Sequence, residues 1–139
     1  MSQQSTQAIN RAGLDEAFES DEARKSKLIL EAQLLREQAR ADEAARKFAE
    51  AAQLEESLSQ RCAAQGLTEK AFLHRFSALS LWAQAGAFYQ AIALDDEMLA
   101  APALPERLRQ RIQIYTNTLR LRRANWYAEL ALQLTESAA

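Results

Sequence analysis

The chain has 139 residues, which is enough for one domain with a buried core. Its hydrophobic share of 48% and charged share of 26% exclude a disordered or fibrous protein, and a net charge of -2 gives no overall attraction to polyanions. Only three Gly and two Pro interrupt the sequence, which is too few for the frequent turns of an all-β protein. Composition therefore predicts an all-α protein.

The beginning of the chain differs from the rest. Residues 1–12 are polar and show no helical period, so we expect a flexible N-terminal tail there. Residues 13–139 are expected to form a single all-helical domain, with Leu14 and Phe18 forming a short docking turn at its start.

Two helices are predicted in the first half of the domain. The first runs from about Asp21 to Ala39, and the second follows Asp42, a good N-cap, and ends at Gly66, where a left-handed residue is favoured. Apolar residues at helical spacing define their core faces. These residues are Leu28, Ala32, Leu35 and Ala39 in the first helix, and Ala44, Phe48, Ala51, Leu54, Leu58 and Cys62 in the second.

The second half of the domain predicts three more helices. The third has Thr68 as its N-cap and ends at Gly86, and the fourth covers about residues 87–99. The fifth starts near Pro105 and runs toward Leu134, a length of roughly 30 residues that favours a break near Arg123 and Asn125. Its core stripe is expected to contain Leu108, Ile112, Tyr115, Leu119, Trp126 and Leu130.

Short connections make consecutive helices antiparallel, so the predicted architecture is a set of antiparallel helical hairpins with about five helices. The residues from Leu28 to Leu54 fall at the spacing of the tetratricopeptide repeat, and Trp82, Gly86, Phe88 and Ala91 occupy matching offsets in the second hairpin. Small residues at these positions let paired helices approach closely. The segment from about 25 to 100 therefore resembles the tetratricopeptide repeat family, in a short and irregular form.

This resemblance implies a function. It implies a tetratricopeptide-like α–α superhelix that serves as a non-enzymatic scaffold or adaptor, with a groove formed by the first helix of each hairpin. The expected ligand is a protein or peptide whose identity the sequence leaves open. By position, the groove would hold Gln33, Arg36, Glu37, Phe76, Ser80 and Gln84.

Enzyme chemistry has little support in the sequence. His74 is the single histidine and has no second ligand at zinc spacing, and Cys62 lies on an apolar stripe where it would act as a small hydrophobe. Adjacent acidic residues point to different sides of a helix. We therefore expect no enzyme activity, no cofactor and no metal site.

The last helix is the most basic part of the chain. From Pro105 onward six basic residues stand against three acidic ones, and Arg107, Arg111 and Arg122 form a basic patch off the apolar stripe. A solvated face, an acidic protein partner, or the acidic N-terminal half of another copy would each fit this patch. Nucleic acid is the weakest alternative, because no binding motif accompanies the arginines. A self-associating bundle or a chaperone-like homodimer remains the alternative function.

The sequence also bears on location. The first ten residues lack the apolar segment of a secretory signal, and one cysteine cannot form an internal disulfide. The most apolar window, Ala78 to Phe88, is about half as long as a bilayer span requires. We therefore expect a cytoplasmic protein without a membrane span.

Overall fold

The computed structural model describes residues 15–138, with side chains as far as residue 136. These residues form five α-helices: α1 (Glu16–Glu37), α2 (Ala41–Ala64), α3 (Thr68–Gln84), α4 (Phe88–Ala100) and α5 (Glu106–Ala138). The predicted all-α fold of about five helices in hairpins is confirmed. The predicted tail over residues 1–12, and Leu14 of the docking turn, lie outside the described residues.

One type of turn joins the first four helices. Its central residue has a left-handed backbone, with φ of 60° at Ala39 and 76° at both Gly66 and Gly86. In each turn the following N–H donates to the carbonyl five residues earlier, which is the Schellman arrangement. The three bonds, each 2.9 Å long, run from Arg40 to Leu35, from Leu67 to Cys62 and from Ala87 to Trp82. The helix ends predicted at Gly66 and Gly86 are confirmed.

The starts of α2 and α3 differ from the predicted N-caps. Asp42 and Thr68 were expected to cap these helices, but α2 begins at Ala41 and α3 at Thr68 itself. The cap positions belong to Arg40 and Leu67, neither of which makes a side-chain cap bond. Because each turn has a fixed hydrogen-bond pattern, the turn sets where the next helix begins.

The first helix begins five residues earlier than predicted. Asp15 is its N-cap, and the Asp15 carboxylate accepts a 3.0 Å hydrogen bond from the N–H of Phe18. Phe18 was predicted to lie in a docking turn, but it belongs to the first turn of α1 and is fully buried against Leu58 and Cys62. The sequence signal was weak here, since Phe18 is the only large apolar residue between residues 15 and 27.

The core lies between the two hairpins. Leu28 and Phe48 are buried in it, and Leu35 and Leu54 pack against it from α1 and α2. Small residues let the helices approach closely, because a methyl side chain takes up little room between two helix backbones. These include Ala32, Ala51, Ala52, Ala78 and Ala91, all with no exposed surface.

A set of polar side chains connects three helices within this apolar interior. The Glu55 carboxylate on α2 lies 2.8 Å from Nδ1 of His74 on α3 and 3.7 Å from Nζ of Lys25 on α1. Nearby, the Ser59 hydroxyl donates to the carbonyl of Ala71 at 2.7 Å. Buried polar groups cost stability unless they are paired, so this set of contacts helps fix how α1, α2 and α3 pack together.

The last helix packs on the bundle through its first half only. Leu108, Ile112 and Leu119 are buried, whereas every residue from 120 to 136 is exposed. The break predicted near Arg123 and Asn125 is wrong, because α5 is continuous over 33 residues.

Two features of the C-terminal half of α5 explain this outcome. Neither Gly nor Pro occurs within Glu106–Ala138, and Asn125 by itself costs the helix less than about 1 kcal/mol. The core positions predicted for Trp126 and Leu130 are also wrong, since these residues are 44% and 37% exposed. The apolar period of α5 continues past the point where the other described helices cover it.

Candidate interaction surface

The odd-numbered helices lie side by side, with α3 in the middle. His74 on α3 meets the ring of Phe18 on α1 edge to face, with ring centroids 5.7 Å apart. Phe76, on another side of α3, meets Tyr115 on α5 in the same way at 5.6 Å. The outward sides of α1, α3 and α5 therefore form one surface, which we call the odd-helix face.

The partner-binding residues predicted on α1 lie at one edge of this face. Gln33, Arg36 and Glu37 are all exposed. Arg36 has an additional structural contact, because its guanidinium lies 4.5 Å above the Phe48 ring and donates to the carbonyl of Gln84 at 3.4 Å. A cation at the last carbonyls of α3 is favourable, so Arg36 also joins α1 to α3.

The residues predicted on α3 lie in the centre. Phe76, Ser80 and Gln84 recur every four residues, which places them along one side of the helix, and all three are half-buried. Leu73 stands three residues before Phe76 on the same side and is 44% exposed. Sequence reasoning missed Leu73, although its spacing from Phe76 could have indicated it.

The basic patch predicted on α5 adjoins these α3 residues. The guanidinium of Arg111 lies 5.3 Å above the Phe76 ring, a cation–π contact. Arg107 and Arg111 both line a cleft of about 340 Å³ between α3 and α5, together with Leu73 and Glu69. The structure therefore brings Phe76, one of the predicted partner-binding residues, next to Arg111 of the basic patch, which the sequence predicted separately.

Arg122 extends the patch along α5. It stands eleven residues, or three helical turns, after Arg111 and so lies on the same side of the helix. It is exposed and belongs to the half of α5 that projects beyond the bundle. Arg122 is therefore separated from the cleft that Arg107 and Arg111 line.

A second cleft, of about 370 Å³, lies on the side of α3 that faces α2 and the α4–α5 connection. Its charged side chains already have partners. Arg75 pairs with Glu97 at 2.7 Å, and Glu56 accepts a 2.8 Å hydrogen bond from the indole of Trp82. With these groups engaged inside the protein, this cleft offers less polar chemistry to a ligand than the cleft beside Arg107.

Cys62 and His74, the two residues that the sequence singled out for nucleophilic or zinc chemistry, are enclosed. Cys62 is fully buried, and burial raises the pKa of its thiol, which disfavours the reactive thiolate. His74 is 8% exposed and is held by Glu55 and Phe18. Within residues 15–138 no three His, Cys, Asp or Glu side chains lie close enough together to hold a metal ion.

The helices were also compared with the requirements of a membrane span. None of those in the described part of the chain combines the length and the hydropathy that crossing a bilayer would take.

No protein-family model matches the chain, and no significant match was found among curated proteins or solved structures. Its surface chemistry is therefore the basis on which a function can be inferred.

Proposed function

We propose that the chain is a non-enzymatic interaction scaffold that binds a segment of a protein partner on the odd-helix face. The single observation that carries this proposal is the arrangement at the α3–α5 cleft, where Arg107 and Arg111 line the cleft with Leu73 and Arg111 also lies over the ring of Phe76. The tetratricopeptide-like spacing of the first hairpin supports the same function, since that family binds peptides on the equivalent helices.

The chemistry of the cleft indicates the kind of segment it would bind. Leu73 in the cleft and Phe76 beside it, under Arg111, offer apolar surface, while the two guanidinium groups offer planar donors that suit carboxylates. The stacking of Arg111 on Phe76 restricts the side chain before binding, which lowers the entropy cost of holding an anion. The expected ligand is a peptide segment in which a large apolar residue stands next to Asp or Glu.

The opposite edge of the face has different chemistry. Leu30 and Leu34 are exposed on α1, one turn apart, and Glu37 lies beyond them. A ligand that crosses from α5 to α1 would therefore meet cations first and then an apolar and acidic edge. This asymmetry favours one orientation of the bound segment.

We expect the protein to act in the cytoplasm. A single buried thiol at Cys62 needs no oxidising environment, and proteins of reducing compartments keep such thiols unpaired.

Selection from a random peptide library displayed on phage tests the proposal. Peptides enriched by the wild-type chain should carry Asp or Glu beside Leu, Phe or Trp. The affinity of one enriched peptide is then measured by fluorescence polarisation. We expect Arg111→Glu to weaken binding by about tenfold or more, equivalent to about 1.4 kcal/mol, and higher salt to weaken wild-type binding.

Arg46→Glu is the matched control. Arg46 is exposed on α2, away from the odd-helix face, so reversing its charge makes the same change in net charge without altering the cleft. If Arg46→Glu weakens peptide binding as much as Arg111→Glu does, the site is wrong. If duplex DNA or RNA binds at low salt and loses affinity with Arg111→Glu, a nucleic acid replaces the peptide as the ligand.

A further inference from the structure

The apolar stripe of α5 continues beyond the bundle. Leu119 is the last residue of the stripe that is buried, and Trp126, Leu130 and Leu134 follow it at steps of seven, four and four. These steps keep them on the side that faces the core earlier in the helix. They are nevertheless 44%, 37% and 71% exposed.

We propose that a second copy of the chain covers this stripe, with the C-terminal halves of the two α5 helices packed antiparallel around a two-fold axis beside Trp126. The site is separate from the α3–α5 cleft, so this dimer does not depend on the peptide-binding proposal. The exposed segment of 120–136 spans about 25 Å of helix, which is long enough for several layers of side chains to pack between two copies.

The charged residues on one flank of the stripe favour a second copy of the chain as the partner, and favour antiparallel packing of the two helices. Arg122 and Glu129 are both exposed and stand seven residues, or two turns, apart, which places them on the same flank. In an antiparallel pair centred beside Trp126, Arg122 of each copy lies opposite Glu129 of the other. The two-fold symmetry therefore forms two ion pairs from one flank of a single sequence.

A parallel pair lacks this match. In parallel helices a residue on one flank faces the opposite flank of its partner, where Tyr127 and Leu134 would face Arg122 and Glu129 and the charged residue is the cation Arg120. Arg122 would then have no anion across the interface. The antiparallel arrangement is the one in which both the apolar stripe and its charged flank are complemented.

The edge of the bundle continues this interface. The ring of Phe88, at the start of α4, lies 6.0 Å from the ring of Trp126, so a helix packed along the stripe would also cover this aromatic pair. Two other exposed apolar residues of the segment, Leu121 and Leu132, lie on the opposite side of α5 by their helical spacing. They provide a control on the same helix.

Sedimentation equilibrium of the full chain over a hundredfold range of concentration tests the proposal. We expect the wild type to approach twice the mass of the 15.6 kDa chain as concentration rises. Leu130→Glu should raise the dimer dissociation constant at least about tenfold, because it places a carboxylate in the apolar stripe. Leu132→Glu, the matched change on the opposite side, should leave the constant within about twofold of wild type.

A charge exchange tests the direction of pairing. Arg122→Glu and Glu129→Arg should each weaken the dimer, since each places like charges opposite one another, and the double variant should restore wild-type affinity. The helical circular dichroism signal of every variant should be unchanged, because residues 120–136 make few contacts with the bundle.

Three results would each overturn the proposal. The first is a wild type that stays monomeric over the whole range, which would leave the stripe to another protein. The second is a dimer that tolerates Leu130→Glu as well as Leu132→Glu. The third is a double variant that is no tighter than the single ones.

Discussion

Two regions of the molecule carry similar apolar patterns, but one is buried and the other is exposed. The first region consists of α1, α2 and α3, and the second is the C-terminal half of α5. In the first region, Phe48 and Leu79 are fully buried between helices of the same chain. In the second, Trp126 and Leu130 occupy equivalent positions of the period and are exposed. A helical period shows which side of a helix needs cover, but it does not show whether the same chain supplies it.

The two regions also differ in how they treat polar side chains. The first region encloses Glu55 and His74 and satisfies them with each other and with Lys25. The second keeps Arg122 and Glu129 in solvent, where charge costs little. A side chain of a given type should therefore contribute very differently to the free energy of unfolding in the two regions, and substitutions should reveal the difference.

The largest expected effect comes from truncating the enclosed aromatic of the first region. Phe48→Ala should lower the free energy of unfolding by about 3–5 kcal/mol, since Phe48 has no exposed surface and its removal leaves a cavity. Leu134→Ala, the matched truncation in the second region, should change it by less than about 0.5 kcal/mol. Urea denaturation at low protein concentration measures both, and equal costs would remove the distinction between the regions.

The next effect comes from the buried polar group. Glu55→Ala should lower the free energy of unfolding by about 2–3 kcal/mol, because His74 and Lys25 lose their shared partner in the interior. The control is Glu43→Ala, which removes an exposed ion pair with Arg40 and should cost less than about 1 kcal/mol. Similar costs for the two variants would show that burial adds nothing to the Glu55 contacts.

A smaller effect is expected at the turns of the first region. Ala39 has the left-handed backbone that Gly66 and Gly86 adopt, so Ala39→Gly should raise the free energy of unfolding by about 0.5–1 kcal/mol through relief of strain. Gly86→Ala should lower it by about 1 kcal/mol, and the cost would be backbone strain alone because no atom lies within 4 Å of the added Cβ. Thermal unfolding followed by circular dichroism measures both, and changes of the same sign would contradict this prediction.

The smallest effect lies between the two regions, where α4 meets α5. Burial raises the pKa of Asp95, although the Thr116 hydroxyl, 2.6 Å from its carboxylate, opposes the rise. The folded state therefore binds the Asp95 proton more tightly than the unfolded state, and its contribution to stability falls as pH rises above the ordinary value of 3.8. Asp95→Asn should be more stable than wild type at pH 7, by up to about 1 kcal/mol.

The pH dependence supplies the check on that variant. The difference between Asp95→Asn and wild type should narrow as pH is lowered from neutral toward the ordinary pKa of Asp, where the wild-type side chain is itself protonated. Urea denaturation at several pH values measures this. A gap that stays constant, or widens in acid, would show that the Asn acts through packing instead of charge.

Much of the fold was predictable because the helical periods and glycines are local signals. Gly66 and Gly86 indicated their helix ends correctly, and the stripe around Phe48 indicated the core of the first hairpin. Ala39 was predicted on the core face of the first helix, and this is wrong, because Ala39 is exposed in the turn after α1 with a left-handed backbone that alanine rarely adopts. Trp126 was placed in the core by its period alone, which carries no information about the end of the bundle.

The candidate surface was predictable in parts but not as a whole. The residues predicted on α3 and the arginines on α5 each came from one helix, and only the packing of α5 against α3 places Arg111 above Phe76. No local pattern reports such a contact between helices 35 residues apart in sequence. The pairing of Glu55 with His74 was missed for the same reason, since it depends on the register of α2 against α3.

The uninterrupted length of α5 has a consequence for how two copies would act. Its 33 residues make a rod of about 50 Å, of which only the first half is held by its own bundle. Two chains joined along the projecting halves would therefore hold their bundles at opposite ends of the paired α5 helices. Such a pair would be bivalent, and a ligand with two suitably spaced segments would bind with avidity that neither bundle alone could provide.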